Sequence, residues 1–475
     1  MPKNLVIVES PAKAHTIEKY LGKDFHVLAS VGHIRKDTKV DKDTFDVTYE
    51  IDPDHTKIIN DLKKAAASAD TIWLATDEDR EGEAISWHLM EVLKLPKNTN
   101  RITFHEITKP ALENAIQHPR KIDMDMVHSQ QARQTLDMLV GYDLSGVVRR
   151  KVPGAISAGR VQSPALRLVV EKEQEIEKFT TNTKFKVTGE FLTQDKSALS
   201  ATLDHTFDTE KTAQNYLEKI ADAKFQVADI ITTPGVRRPA PPFTTASMQI
   251  EANSRLGFST RTTMTAAQAL YQAGFITYHR TDSLNLSKQA LAMTANYVEE
   301  KFGKKYLQVR NFKTKSASAQ EAHEAIRPTH IDQEVAGKNE YEKKLYRLIR
   351  NRTLATQMAE AKTEKTTVKI INNTEKTHLF EAKGEVIVFD GFLKVTGRTK
   401  EDELPALNVD DYLKASKITA RQSFAKPPAR YTEGSLVKKL EELGIGRPST
   451  YASIMQAIQS RGYVIKGESE GEPRE

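Results

Sequence analysis

Apolar and polar positions follow three patterns along this chain. Two short continuous apolar runs, Leu5-Val6-Ile7-Val8 and Thr71-Ile72-Trp73-Leu74-Ala75-Thr76, have the length and content of strands buried on both faces. Each runs directly into carboxylates: Glu9 after the first, and Asp77-Glu78-Asp79-Arg80-Glu81-Gly82-Glu83 after the second. Ser10 suits an N-cap and Pro11 the first helical position, which predicts a helix to about residue 21 with Lys13 in its first turn. Further helices are predicted over 84–93 and from Gln130 through Asp137 to Tyr142. Period-two alternation starts near residue 181, as in Phe185-Lys186-Val187, and continues to about 229 around one helix at 210–221. It resumes at 366–371, 386–389 and 412–420.

Between these two β-rich stretches lies a helical block from about 244 to 362. Within it, residues 264–273 keep helical spacing, Gly274 suits a left-handed cap, and Phe275-Ile276-Thr277-Tyr278 reads as a short extended segment. Residues 321–328 read as a short helix stopped by Pro328, with His323 and Arg327 one turn apart. Pro239-Ala240-Pro241-Pro242 and Lys426-Pro427-Pro428 mark linkers into and out of the β-rich part. The last folded stretch, 432–463, pairs an amphipathic helix with a second one across Gly444-Ile445-Gly446-Arg447, a helix-turn-helix-like arrangement suited to nucleic acid. The polar, Gly/Glu-rich residues 467–475 are expected to be disordered.

Composition narrows the class. The 475 residues leave room for about three or four domains. No apolar run approaches membrane-spanning length and Glu9 interrupts the N-terminal one, so a cytoplasmic protein is expected. The absence of cysteine excludes a disulfide framework and a thiolate zinc site, leaving oxygen and imidazole as metal ligands. A net charge of +6 and a pI near 9.0 are compatible with a polyanionic partner. No G-x-x-x-x-G-K-[ST] phosphate loop is present, which argues against nucleotide-driven chemistry.

The candidate chemistry centres on Gly274-Phe275-Ile276-Thr277-Tyr278-His279-Arg280-Thr281-Asp282-Ser283. Tyr278 reads as a nucleophile whose phenol needs help at neutral pH, and Arg280, two residues along extended chain, returns to its side to hold a phosphate oxygen. A lone Tyr-x-Arg is more often a core tyrosine beside a surface arginine; the acidic cluster gives this one its meaning. Along extended chain Asp77, Asp79 and Glu81 would point the same way, and with Glu9 they make an oxygen site for Mg²⁺ or, more plainly, a solvated acidic turn. Lys13 opposes the dipole of its helix, which suits a substrate charge. Ser157-Ala158-Gly159-Arg160-Val161-Gln162 is a small-residue loop that lets backbone approach a nucleic-acid strand. Arg133 and Asp137 at i, i+4 could equally be a surface bridge, and His33 alone says nothing.

Together these segments strongly resemble the bacterial members of the type IA DNA topoisomerase family. The motifs VIVESPAK, LATDEDREGEAISWHL, SAGRVQSPALRLVVEKE, ITYHRTDS, AQEAHEAIRP and PPARYTEGSLVKKLEELGIGRPSTYASI carry the likeness, in order, to about Val464. The resemblance implies a multi-domain α/β and α+β toroid. Its expected parts are a Toprim metal-binding domain (1–120), a helical DNA-binding domain (121–180 and 425–466), a β-rich hinged arch (181–242 and 363–424), and a helical domain carrying the tyrosine (243–362). It implies that Glu9, Asp77, Asp79 and Glu81 hold Mg²⁺ and that Tyr278 becomes linked to a DNA 5′-phosphate. Arg280 then steadies the phosphate, Lys13 protonates the departing 3′-oxygen and His323 stands near the site. His33, Arg133, Asp137, Tyr142, Arg149, the Ser157 to Gln162 loop and, at the helix turn, Arg447 would grip single-stranded DNA. The expected enzyme is a monomer relaxing negatively supercoiled DNA at the nucleoid, without nucleotide, zinc or membrane. A topoisomerase III-like decatenase, a non-catalytic single-strand-binding protein and a Toprim primase or nuclease, which would not need the ITYHRTDS segment, are the rival readings. Family chains usually continue past Arg461-Gly462-Tyr463-Val464, so cleavage is the firmer expectation and full relaxation the weaker.

Overall fold

The computed structural model describes residues 3–313, 323–397 and 401–467. It opens with β1 (Asn4–Val8), α1 (Pro11–Leu21), β2 (Phe25–Ala29), a hairpin of β3 (Arg35–Val40) and β4 (Val47–Ile51), and α2 (Thr56–Ser68). Then come β5 (Thr71–Leu74), α3 (Arg80–Val92), the two-residue β6 (Asn100–Arg101) and α4 (Lys109–Gln117). The main sheet has order β2-β1-β5-β6, with all pairs parallel. β1 alternates between two cores. Leu5 and Ile7 pack with Ile59, Leu62, Leu74 and Leu89, whereas Val6 and Val8 join a core shared with Met248, Leu270, Ile276 and Tyr278 of the helical block. The uniformly apolar run thus exists because both of its faces are covered.

Two helices follow, α5 (Met124–Lys151) and α6 (Gln162–Glu177). α5 extends well beyond the predicted 130–142 because Asp123 caps it, accepting from Asp125 N and Met126 N. The chain then lays down β7 (Thr183–Leu192), β8 (Ala198–Phe207), α7 (Glu210–Ile220) and β9 (Phe225–Arg237). It builds α8 (Thr245–Leu256), α9 (Thr260–Gln272), α10 (Lys288–Phe302) and α11 (Glu340–Thr356), and returns as β10 (Ala361–Asn372), β11 (Phe380–Phe389), the one-turn α12 (Leu393–Thr396) and β12 (Tyr412–Phe424). The outgoing and returning strands close one barrel, in order β10-β11-β8-β7-β12-β9, around Val187, Phe191, Phe225, Val368 and Phe380. Closure removes the open edges that six exposed strands would otherwise present. Finally α13 (Glu433–Glu442) and α14 (Tyr451–Ser460) pack on α8, α6 and α9.

Two expectations are corrected. Residues 323–327 are not helical: Ile326 bridges to Phe243, and the Arg327 carbonyl accepts from Thr277 N. Main-chain groups committed to Phe243 and Thr277 cannot also make helical bonds, and Pro328 disfavours helical backbone in the residue before it. Residues 321 and 322 of that segment, and 468–475 of the expected tail, lie outside the described residues. Nor do Asp77, Asp79 and Glu81 alternate along one strand. The helix begins at Arg80, with Asp79 as its N-cap, so Glu81 lies in its first turn.

Candidate active site

β1 and β5 run side by side, so Glu9 and Asp77 emerge together at the carboxyl edge of the parallel sheet, where such sheets bind ligands. Asp77 N donates to Glu9 Oε2 at 3.2 Å. The Asp77 turn is tight: a Cβ on Gly82 would meet the Asp77 carbonyl oxygen at 2.1 Å, so only glycine lets α3 start here. The Ser10 cap, Oγ accepting from Lys13 N, places Lys13 beneath both carboxylates. Its Nζ donates to Glu9 Oε1 and Asp77 Oδ1 at 2.8 Å each. Lys13 is fully buried, with the Phe104 and Tyr271 rings 5.2 and 5.5 Å from Nζ.

Two carboxylates share one ammonium, and the charges respond. Burial opposes the Lys13 cation, but Asp77 and Glu9 outweigh it and hold its pKa above the ordinary value. Burial, followed by repulsion from Asp77, pushes Glu9 up to about 7. Burial also opposes the Asp77 anion, yet Lys13 keeps its carboxyl below the usual range.

The nucleophile candidate arrives from the other side of the seam. α9 ends at Gln272, and Gly274 at φ +79 turns the chain so closely past the sheet that a Cβ would lie 2.6 Å from the Ile107 carbonyl oxygen. Thr16 Oγ1 donates to the Gln272 carbonyl at 2.8 Å, and Tyr278 N to the His105 carbonyl at 2.8 Å. So held, the Tyr278 hydroxyl donates to Asp79 Oδ2 at 2.6 Å, while Arg280 Nη1 lies 3.8 Å from the same oxygen. Tyr278 and Arg280 do converge as i, i+2 neighbours. Burial, then Asp79 and Asp77, raises the Tyr278 pKa well above that of a free phenol, with Arg280 partly offsetting them. The resting hydroxyl is therefore protonated, with an acceptor already in place.

Other candidates divide. His323 is buried 6.0 Å, ring to ring, from Tyr278. Glu81 turns away to His33, Oε1 to Nε2 at 2.6 Å. Asp79, Glu81, Arg133, Arg280 and Arg447 line one cleft of about 450 Å³, and His33, Arg133, Asp137 and Tyr142 line a neighbouring groove of about 530 Å³. Arg160 Nε reaches Asp137 Oδ1 at 2.8 Å, so Arg133 and Arg160 share one acid. The loop is pinned through Ser157 N, which donates to the Tyr463 hydroxyl, and Ala158 N, which donates to Ser145 Oγ. Gly159 and Val161 carry it into α6, and Gln162 meets Arg461. Arg149 is exposed in the last turn of α5 and lines neither cavity. Sequence reasoning missed His105 and Glu78, paired at 3.0 Å beside His323; it marked Arg327, but not that it is buried between Glu324 and Glu106, acids it had not singled out. Their only signal was position next to motifs already marked.

Among the described residues, no group of three or more His, Asp or Glu stands arranged to hold a metal ion. The four-carboxylate set is thus not assembled as expected, because Lys13 occupies Glu9 and Asp77, and His33 occupies Glu81. The donor chemistry nevertheless fits a hard divalent cation: all ligands are oxygen, and partial burial together with the Asp77 charge disfavours the Glu9 anion, which a cation would relieve.

An α/β domain with carboxylates at its sheet edge, joined to a barrel-and-helix arch that returns a tyrosine to them, defines the class. Residues 4–107 match the Toprim domain model, and residues 121–475 match the model described as DNA topoisomerase. The chain belongs to the bacterial DNA topoisomerase family. It is 44% identical to DNA topoisomerase 1 of Rickettsia felis over 503 residues, covering 97% of this chain and 64% of that protein. It is also 44% identical to DNA topoisomerase 1 of Xylella fastidiosa over 510 residues, covering 98% and 62%. The chain therefore spans less than two thirds of the length of these relatives. Full-length topoisomerase I from Thermotoga maritima superposes with a TM-score of 0.85 at 36% identity, over 97% of this chain and 79% of that one.

Proposed function

We propose that this chain carries the strand-cleaving and rejoining machinery of an ATP-independent type IA topoisomerase that relaxes negatively supercoiled DNA. The observation that carries this reading is the Tyr278 hydroxyl on Asp79, with Arg280 beside them and buried Lys13 on the adjoining carboxylates. The Tyr278 oxygen attacks a backbone phosphorus and its proton passes to Asp79 Oδ2. The phosphorus–O3′ bond breaks, and the Lys13 ammonium supplies the proton that the departing 3′-oxygen needs. Arg280 offers two parallel N–H groups to the phosphate, and His323 one more donor. The phosphodiester energy stays in the 5′-phosphotyrosine bond, so the reverse attack by the 3′-hydroxyl reseals the strand without a nucleotide. Mg²⁺, held by Glu9, Asp77 and Asp79 with Glu81 at their margin, would neutralise phosphate charge when bound.

A single strand would lie along the cleft and groove of His33, Arg133, Asp137, Tyr142, Arg160 and Arg447, with Arg149 and the Ser157 to Gln162 loop along its path. Strand passage would part the seam at Tyr278–His105, Thr16–Gln272 and Arg327–Glu106. The domain limits given above, a monomeric state and a cytoplasmic site of action belong to this same reading. A 3′-labelled single-stranded oligonucleotide tests it: denatured with this chain, the label should travel with the protein. Label that stays free, or that follows the protein only when placed at the 5′ end, would overturn it. Plasmid relaxation with and without MgCl₂ tests the wider activity.

A further inference from the structure

Behind the nucleophile lies a second polar feature that the reaction above does not use. The His279 side chain is 2% exposed, and neither of its ring nitrogens has a protein partner. Its ring stands 5.3 Å from that of Tyr278 and 5.9 Å from that of Tyr271, which are themselves 5.1 Å apart edge to face. Tyr271 is 1% exposed, and its hydroxyl faces Asp77 without completing a hydrogen bond. The backbone leaves the imidazole no easy escape: Thr245 Oγ1 donates to the His279 carbonyl at 2.7 Å and accepts from Thr281 N at 2.9 Å.

We propose that His279 is a positioning residue for Tyr278, acting through an internal water-binding pocket that it shares with Tyr271. A neutral imidazole has one N–H and one lone pair, and burying both unpaired costs about 1–3 kcal/mol for each group. A phenyl ring would fill the same space without that cost, so a histidine here needs something to bind. The surroundings select the guest. Charges of both signs stand near and already face one another, Lys13 against Asp77 at 2.8 Å and Arg280 by Asp79 at 3.8 Å, which favours a neutral guest. A water both donates and accepts, is small enough, and can link the imidazole through the Tyr271 hydroxyl toward Asp77. Such a link ties the ring behind Tyr278 to the carboxylate cluster in front of it, fixing the tilt at which the phenol meets Asp79.

The proposal rests on Tyr278 being the nucleophile, and its test separates the two. Single-turnover cleavage of a single-stranded oligonucleotide and its binding constant are measured for the parent, His279→Phe, His279→Asn and Tyr271→Phe, with Tyr278→Phe as control. His279→Phe should cleave about tenfold more slowly, a rise of about 1.4 kcal/mol in the barrier, with binding unchanged. His279→Asn, which keeps a donor and an acceptor, should recover most of the rate. Tyr271→Phe, which removes one oxygen, should slow cleavage in the same way, and the His279→Phe/Tyr271→Phe pair should be little worse than either single change. A crystal structure should place an ordered water within hydrogen-bond distance of His279 and Tyr271. Parent-like cleavage by His279→Phe, strictly additive losses, or a dry pocket would overturn the proposal. Absence of any parent adduct would instead overturn the nucleophile assignment.

Discussion

Two buried charge clusters lie on the same α/β domain, and they behave in opposite ways. Around Glu83 every demand is met: Arg120 binds both carboxylate oxygens at 2.7 and 2.9 Å, Arg101 Nε adds a bond at 3.1 Å and Asp123 N another at 2.7 Å. Arg101, fully buried, spends its remaining donors on the carbonyls of Leu74, Thr76, Asp77 and Ile102. Burial works against the Glu83 anion, but the two arginines keep its carboxyl below the usual range. Around Lys13 the count is short, with two carboxylates on one ammonium and Glu9 pushed up to about 7. A closed cluster can only hold structure, as Glu83 and Arg101 hold the strand leading into Asp77. An open one retains capacity for a charged ligand.

The largest expected effect lies at the open cluster. Tyr278→Phe should eliminate covalent DNA adducts on denaturing gels while leaving single-strand affinity and the thermal midpoint near parental values. Adducts from that variant would remove Tyr278 from the comparison. At the closed cluster, Glu83→Gln should cost about 3–5 kcal/mol in denaturant unfolding, because Arg101 loses its buried counter-charge. That cost should be indifferent to MgCl₂; a parental midpoint would mean that the cluster is solvated after all.

Glu9 gives the next contrast, with its sign fixed by linkage. Its folded carboxyl titrates near 7 against an ordinary 4.5, so the folded state holds a proton that the unfolded state has released across that interval. Stability from this group is full below about pH 4.5 and is lost as pH rises through about 7. Glu9→Gln should therefore match the parent at pH 4 and exceed it at pH 8 by on the order of 2 kcal/mol. Added MgCl₂ should narrow the gap at pH 8 by stabilising the parent. Equal pH profiles for the two proteins would show that the cluster is not short of charge. Smallest of these, Arg280→Lys should slow cleavage about tenfold, since a point charge replaces a planar fork. Parental rates with lysine would show that charge alone suffices there.

Much of this molecule was legible in the chain. The Ser10 cap and Pro11 start of α1, the buried β1 and half-buried β5 with carboxylates just beyond them, the Gly274 turn and the pairing of Tyr278 with Arg280 all rest on local rules. Capping, backbone freedom at glycine and two-residue spacing act within a few residues, so sequence alone determines them. What the tertiary structure decided is who meets whom. That Asp79, a local helix cap, also receives the Tyr278 hydroxyl depends on a contact across 199 positions, made because the helical block closes a shared core with β1. The extended path of His323 to Arg327 and the bridging of Glu9 to Asp77 by Lys13 likewise depend on partners distant in the chain. Long-range packing and the pairing of buried charges outweigh local preference, because an unpaired buried charge costs more than any helical turn provides.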